Sequence, residues 1–133
     1  MTCLFCNLPP DRVIDSEGPI FAILDAFPVT PGHTLLIPCR HSPDFFALTP
    51  EEWSAALVLA RRRADALRDA DPTITGFNFG INAGPDAGQT VFHTHLHLIP
   101  RRHGDHPSPR GGVRAVIPSR AAYPSQGVVR QPP

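Results

Sequence analysis

Histidine occupies every second position in one stretch of this chain, at His93, His95 and His97, and leucines follow at positions 96 and 98. Because successive side chains of a β-strand point to opposite faces, the stretch predicts a strand over residues 93–100. Three imidazoles would share one face and the leucines would enter the core. Burying unpaired imidazoles costs free energy, so three of them on a mostly apolar strand indicate a functional site. Three surface histidines with no shared role are the alternative interpretation.

A single metal ion held by all three histidines is disfavoured by the length of a strand. At roughly 3.3 Å per residue, His93 and His97 would lie about 13 Å apart along the chain. Zinc–nitrogen bonds are only about 2 Å long. We therefore expect the three rings to have separate roles.

A glycine-rich loop, residues 84–90, leads directly into the histidine stretch. Its backbone N–H groups and the side chains of Gln89 and Thr90 are suited to holding a phosphate. An imidazole beside a bound phosphate favours nucleophilic catalysis, provided that an acceptor such as a flanking backbone carbonyl holds its other nitrogen. His97, Gln89 and the loop amides would then stabilise the developing charge.

The composition excludes several classes of function. The 133 residues carry no net charge, and all twelve basic residues are arginines, so a lysine nucleophile or Schiff base is excluded. A neutral domain lacks the basic footprint needed to bind a nucleic-acid polymer. No apolar run approaches the roughly 18 residues of a membrane span, and the first residues do not resemble a signal peptide. We expect a cytoplasmic protein with no membrane partner, no organic cofactor and, with three cysteines, no disulfide framework.

The apolar pattern predicts an α+β fold with a helix packed on one face of a sheet. Thr49 as the N-cap, Pro50 and Glu52 mark the start of a helix that should end near residues 71–72. The predicted strands, each apolar or alternating, are residues 20–26, 34–37, 76–83 and 93–100. Residues 112–117 are either a further strand or an ordered arm. We expect one domain over residues 1–118 and a partly flexible tail over residues 119–133.

The residues around the histidines resemble the signature of the histidine triad (HIT) superfamily. The matching segments, from about residue 3 to residue 105, lie in that family's order and spacing: Leu24-Asp25-Ala26, residues 31–38, His41, residues 76–78, Asn82, residues 87–92, residues 93–99 and Pro100-Arg101. The resemblance implies an antiparallel sheet of about five strands with one or two helices. It also implies a homodimer in which the sheet continues from one subunit into the next.

The same resemblance implies the roles of the site residues. The triad would bind a nucleoside by its α-phosphate, and His95 would attack the phosphorus to form a nucleotidyl-histidine that water hydrolyses. His97 would contact the phosphate and assist the leaving group. His33 would lie near the site and orient the triad, and His93 completes the catalytic set. Substrate would be held by Asp25, at the ribose hydroxyls, and at the phosphate oxygens by Asn82, Gly88, Gln89 and Thr90.

The implied activity is that of a nucleotide hydrolase or nucleotidyl transferase acting on an adenine nucleotide. Residues 98–105 are more similar to the polyphosphate-cleaving members, which favours a dinucleoside polyphosphate (Ap4A-like) hydrolase. The alternatives are a purine nucleoside phosphoramidase, a weakly catalytic nucleotide-binding regulatory module, and a metal-dependent hydrolase that uses the histidines as ligands.

Cys3 and Cys6 have the spacing of half a zinc site, although two ordinary cysteines or a redox pair are the alternatives. Some bacterial HIT proteins and the related hexose-phosphate uridylyltransferases resemble the chain here. That resemblance implies a closed, structural zinc site formed by Cys3, Cys6, His41 and His93. Cys39 has no partner in this scheme.

Overall fold

The computed structural model describes residues 2–123 and divides the chain into two compact units, Met1–His103 and Gly104–Pro133. The first unit is an antiparallel five-stranded sheet with one long helix. Its elements in chain order are β1 (Val13–Glu17), β2 (Ile20–Leu24), β3 (Thr34–Pro38), α1 (Pro50–Ala70), β4 (Ile74–Ile81) and β5 (Leu96–Arg102). The strand order is β1-β2-β3-β5-β4. The expected α+β fold with about five strands is confirmed.

The helix begins and ends where the sequence predicts. The Thr49 hydroxyl accepts from the Glu52 backbone N–H, and the Glu52 carboxylate accepts from the Thr49 N–H, so the capping box is complete. The Glu52 carboxylate is buried, and Arg40 donates to it at 2.7 Å. This hydrogen bond lowers the pKa of the carboxylate. This pair connects the start of α1 to the segment that follows β3.

The sheet has a different core on each face. On one face α1 presents Ala55, Ala56, Leu59 and Ala60 to a buried cluster completed by Ile20, Ala22, Leu36 and Leu96. On the other face Phe5 packs on Ile23, Leu35 and Ile37. Because alternate residues of a strand face opposite sides, β2 and β3 contribute to both clusters. The N-terminal segment therefore covers part of the face that α1 leaves open, over β2 and β3.

The strands of the first unit differ from the sequence prediction in two places. The strand expected over residues 93–100 begins only at Leu96, because the Thr94 N–H and hydroxyl both bond to the Ser42 carbonyl at 2.7 Å instead of to a neighbouring strand. Strand β1 was not predicted, since its residues, Val-Ile-Asp-Ser-Glu, do not alternate. Arg62 of α1 holds this edge strand through Asp15 and Glu17.

The second unit is described from Gly104 to Tyr123. Of the two alternatives for residues 112–117, a further strand or an ordered arm, the strand is wrong, because Gly112–Val116 form a 3₁₀ helix. Gly111, at φ 94°, opens the turn, and the Arg114 N–H donates to its carbonyl at 3.1 Å. The expected domain limit at residue 118 and the tail from 119 stay predictions, and residues 124–133 of that tail lie outside the described residues.

Within residues 2–123, α1 is the one α-helix, and no helix is long and apolar enough to cross a bilayer.

Candidate active site and metal centre

The three histidines of the alternating stretch lie on the sheet face opposite α1. His97 pairs in register with Leu35 of β3 and with Gly80 of β4, whereas its neighbour Leu96 is buried in the cluster beneath the helix. His93 and His95 precede the strand but continue the same side of the chain, since each contacts the ring of Phe5. The alternation of imidazole and leucine thus separates the site from the core, as the sequence predicts.

The ring of His95 is held by its own backbone. Its Nδ1 lies 2.8 Å from the carbonyl oxygen of His93, which can only accept, so Nδ1 carries the proton and donates it. The lone pair of the neutral ring is therefore on Nε2. A flanking backbone carbonyl is the acceptor that the sequence predicts for this ring, and the His93 carbonyl fills that role.

A second chain of hydrogen bonds sets the protons of His33 and His97. The Val29 N–H donates to His33 Nδ1 at 3.1 Å, so a neutral His33 carries its proton on Nε2. That proton points to His97 Nδ1, 2.9 Å away, and leaves the His97 proton on Nε2. Among the described residues, this buried His97 Nε2 atom has no hydrogen-bond partner. A donor left without an acceptor costs about 1–3 kcal/mol, which an incoming oxygen would recover.

The loop before β3 is built to hold His33 at this place. Thr30 is buried and donates its hydroxyl to the Pro100 carbonyl of β5 at 2.6 Å. Gly32 has φ 93°, and a Cβ there would come within 3.0 Å of Leu67 on α1. Glycine is required for both reasons. The loop therefore docks closely on β5, and this places His33 beside His97.

Asp25 lies at the end of β2, next to this histidine pair. One carboxylate oxygen accepts from the Phe27 N–H at 2.8 Å, and the other lies 3.5 Å from His33 Nε2. Asp25, His33 and His97 are close enough to hold a cation by distance alone. The Val29 N–H argues against that, because it keeps the proton of His33 on the nitrogen that a metal would need.

Burial keeps this histidine pair neutral. It lowers the pKa of His33, against an opposing effect of the Asp25 carboxylate. Burial, together with the nearby His95 and His33 rings, lowers the pKa of His97 to about 4. His97 is therefore a neutral hydrogen-bond donor at neutral pH.

The glycine-rich loop is shaped by Gln89. Its side-chain oxygen accepts from the Gly84 N–H at 2.9 Å, and its amide donates to the carbonyls of Pro43 and Val91. Gly88, at φ 95°, closes the turn. In this structure Gln89 organises the loop, and its role as a phosphate ligand stays a prediction. The other expected phosphate ligands, which are all exposed, are Asn82, Gly88 and Thr90.

Four side chains from three distant parts of the sequence converge behind His95. They are the ones expected at a metal site: Cys3, Cys6, His41 and His93. The Nδ1 atoms of the two histidines lie 3.3 Å apart, and three sulfur–nitrogen separations are 3.4–3.5 Å. A tetrahedral zinc ion with bonds of about 2.05 Å to nitrogen and 2.3 Å to sulfur gives separations of about 3.3 and 3.5 Å. The donor set therefore fits a tetrahedral metal.

The protonation of these groups also suits a cation. His93 is fully buried, and its Nε2 donates to the Pro38 carbonyl at 2.7 Å, which leaves the Nδ1 lone pair facing the cysteines. Burial is the main cause of the lowered pKa of His93. Desolvation and the adjacent Cys3 thiol raise the pKa of the Cys6 thiol, which is the effect that a bound cation would reverse.

Three contributors to the site were missed by sequence reasoning. The Val29 N–H and the Pro38 carbonyl are backbone groups, which no residue pattern reveals. Phe5 contacts both His93 and His95, with ring centroids 5.9 and 5.0 Å apart. Its aromatic side chain between two cysteines was the available signal, but the sequence does not distinguish it from the apolar Leu4 beside it, which is exposed.

We expect acid to destabilise the folded chain through His97. In the unfolded chain this histidine takes up a proton near pH 6.5, whereas in the folded chain it takes up the proton only near pH 4. The free energy of unfolding should therefore fall as the pH drops from 6.5 to 4, by up to about 3 kcal/mol from this residue. Urea unfolding across this range measures the fall, and His97→Asn should show a shallower one. Equal slopes for the two proteins would contradict the assignment.

Comparisons with known proteins identify the family. The family model described as the HIT domain matches residues 8–104. A HIT-like protein of Mycobacterium tuberculosis is 40% identical over 110 residues, which span 79% of this chain and 75% of that protein. The crystal structure of a Zn-bound histidine triad family protein from Mycobacterium smegmatis has a TM-score of 0.70 and 40% identity, and the match covers 80% of each chain.

A third comparison concerns a relative of stated activity. The crystal structure of Plasmodium falciparum diadenosine triphosphate hydrolase, in complex with Cyclomarin A, has a TM-score of 0.69 and 29% identity, covering 76% of this chain and 68% of that one. HIT proteins bind nucleotides and are generally nucleotide hydrolases or transferases. On the family model, the identities and the fold together, this chain belongs to the HIT family.

Proposed function

We propose that this chain cleaves nucleotides at the α-phosphate through a covalent nucleotidyl-His95 intermediate. The observation that carries the proposal is the hydrogen bond from His95 Nδ1 to the His93 carbonyl. It places the lone pair on Nε2 and stabilises the positive charge that the ring acquires when it bonds to phosphorus.

The reaction has two displacements at phosphorus. In the first, the Nε2 lone pair of His95 forms the N–P bond, while the bond from phosphorus to the leaving oxygen breaks and its electrons depart with the leaving group. In the second, water attacks phosphorus, the N–P bond breaks and its electrons return to Nε2. Nucleoside monophosphate is released, and the proton lost by water passes to solvent.

His97 stabilises charge in this scheme. Its Nε2–H is the buried donor that lacks an acceptor, and a phosphoryl oxygen supplies one. Because the protonated form of His97 has a pKa of about 4, the ring is neutral at neutral pH. It can donate a hydrogen bond but carries no extra proton that it could transfer to a leaving group. Such a site favours leaving groups that depart as stable anions.

That preference supports a polyphosphate substrate. The leaving group of a dinucleoside polyphosphate is a nucleotide anion, whereas the amine of a phosphoramidate must gain a proton as it leaves. The similarity to a diadenosine triphosphate hydrolase points the same way. We therefore propose a dinucleoside polyphosphate (Ap4A-like) hydrolase, with a phosphoramidase as the alternative that the substrate comparison below tests.

We further propose that the Cys3, Cys6, His41 and His93 cluster holds one structural zinc ion. The support is the tetrahedral spacing of the four donors, the hydrogen bond that orients the His93 ring, and the zinc in the mycobacterial relative. A zinc site with four protein ligands has no open position for substrate. When bound, zinc supplies a fixed crosslink between the N-terminal segment and the segment before β5.

Replacing His95 by alanine should abolish turnover while nucleotide binding persists. Removing a covalent nucleophile usually costs a factor of at least about 10³ in kcat. The measurement is release of AMP from diadenosine tetraphosphate, with binding of AMP followed by calorimetry. His103→Ala removes an exposed histidine outside the site and should keep the parent rate. Hydrolysis by His95→Ala at the parent rate would refute the mechanism, and an inactive parent that still binds AMP would support the regulatory module.

The leaving-group preference is tested by comparing kcat/KM for diadenosine tri- and tetraphosphate with that for adenosine phosphoramidate carrying an alkylamine. We expect the polyphosphates to be cleaved at least about 10-fold more efficiently, which corresponds to about 1.4 kcal/mol of transition-state free energy. The matched substrates share the adenylyl group, so binding of that group cancels. A preference for the phosphoramidate would favour the alternative.

Elemental analysis of the purified protein should find one zinc ion per chain. Cys6→Ser should lose the metal, whereas Cys39→Ser, which removes an exposed cysteine outside the cluster, should retain it. Loss of a ligand bound at 1,000 times its Kd removes about 4 kcal/mol of stability. A chelator should therefore lower the thermal midpoint of the parent and of Cys39→Ser but not that of Cys6→Ser. Parent protein without zinc, and indifferent to the chelator, would disprove the site.

A further inference from the structure

We propose that Phe5 is a positioning residue that connects the Cys3–Cys6 turn to the ring of His95. The inference rests on the function proposed above, in which His95 is the nucleophile. It concerns what holds that ring in place.

Phe5 lies between the metal cluster and the nucleophile. It is 7% exposed and packs on Ile23, Leu35 and Ile37, so the sheet fixes the position of its own ring. Its ring meets that of His95 edge-on, with centroids 5.0 Å apart and planes at 66°. It also meets the His93 ring at 89°. One buried aromatic side chain therefore contacts a candidate metal ligand and the candidate nucleophile.

The nucleophile needs this contact because its hydrogen bond fixes only one atom. The Nδ1–H···O=C bond to His93 anchors one corner of the ring, but the ring can still tilt about that anchor. Two neighbouring rings limit this tilt: that of Phe5 and that of His97, whose centroid lies 5.2 Å from the centroid of His95. The direction of the Nε2 lone pair depends on that tilt, and a misplacement of about 1 Å can cost up to about 100-fold in rate.

The position of Phe5 in turn depends on the cysteines that flank it. Cys3 and Cys6 bracket the residue in sequence, and their sulfur atoms lie 3.4 and 3.5 Å from His93 Nδ1. A crosslink through these four donors would hold both Phe5 and the His93 carbonyl that accepts from His95. Binding of a metal ion by the cluster and alignment of the His95 ring are thus linked through the side chain of Phe5.

The experiment compares Phe5→Leu with two controls. Leucine keeps an apolar side chain in the cluster but removes the flat edge that meets His95. Ile23→Val weakens the same cluster without touching His95, and Leu4→Ala changes a 60% exposed neighbour in the same turn. For each protein, kcat and KM for diadenosine tetraphosphate are measured together with zinc content and the thermal midpoint. The proton NMR signal of the His95 Nδ1–H is recorded in parallel.

We expect Phe5→Leu to lower kcat per zinc-bound chain by about 10- to 100-fold with KM little changed. Its His95 Nδ1–H signal should exchange faster with water. Ile23→Val should show a lowered midpoint but parent kcat, and Leu4→Ala should match the parent throughout. Parent kcat in Phe5→Leu, or a loss that only follows zinc content, would overturn the inference. If the parent itself has no activity, the proposed function fails, and an unchanged Nδ1–H signal in Phe5→Leu then overturns the positioning role independently.

Discussion

The structure depends on His93, which contributes its ring to one site and its backbone carbonyl to the neighbouring one. Its ring is fully buried and hydrogen-bonded to the Pro38 carbonyl, with Nδ1 directed at the two cysteines. Its backbone carbonyl accepts the proton of His95. A ring so confined cannot turn without moving its own backbone. The constraint on the side chain therefore becomes a constraint on the carbonyl, and through it on the tautomer of His95.

The alternation of histidine and leucine predicted this arrangement in its main features. It placed imidazoles on one face and Leu96 in the core, and it assigned the three rings to separate roles because they are spread along the chain. The cap at Thr49 and the end of α1 near Asp71 were also readable, since capping depends on side chains close in sequence. The four expected metal ligands came from resemblance, and the fold brings their donor atoms together.

What the sequence could not reveal is mostly backbone chemistry. Strand β5 begins only at Leu96 because Thr94 donates two hydrogen bonds to the carbonyl of Ser42, which is distant in sequence. The protonation of His33 follows from the Val29 N–H, and that of His97 follows from His33. Every residue carries the same amide and carbonyl, so no residue pattern marks those that act. Strand β1 was missed for a related reason, because tertiary ion pairs to Arg62 hold it instead of its own apolar pattern.

The two faces of the sheet are covered differently, and this gives the Cys3–Cys6 turn a structural role. An antiparallel sheet can leave one face to water, and in the described residues α1 covers only one. Over part of the other face lies the segment with the Cys3–Cys6 turn, in which Phe5 is buried and Leu8 is partly buried. Each ordered residue of a turn costs about 1–2 kcal/mol of backbone entropy, whereas burying one phenylalanine side chain contributes about 1.5–3 kcal/mol. A crosslink through Cys3 and Cys6 to His41 and His93 would offset that entropy, because it joins the segment to the chain just after β3 and just before β5. The same crosslink would include His93, whose carbonyl orients His95, so the segment that packs on this face would also organise the candidate site.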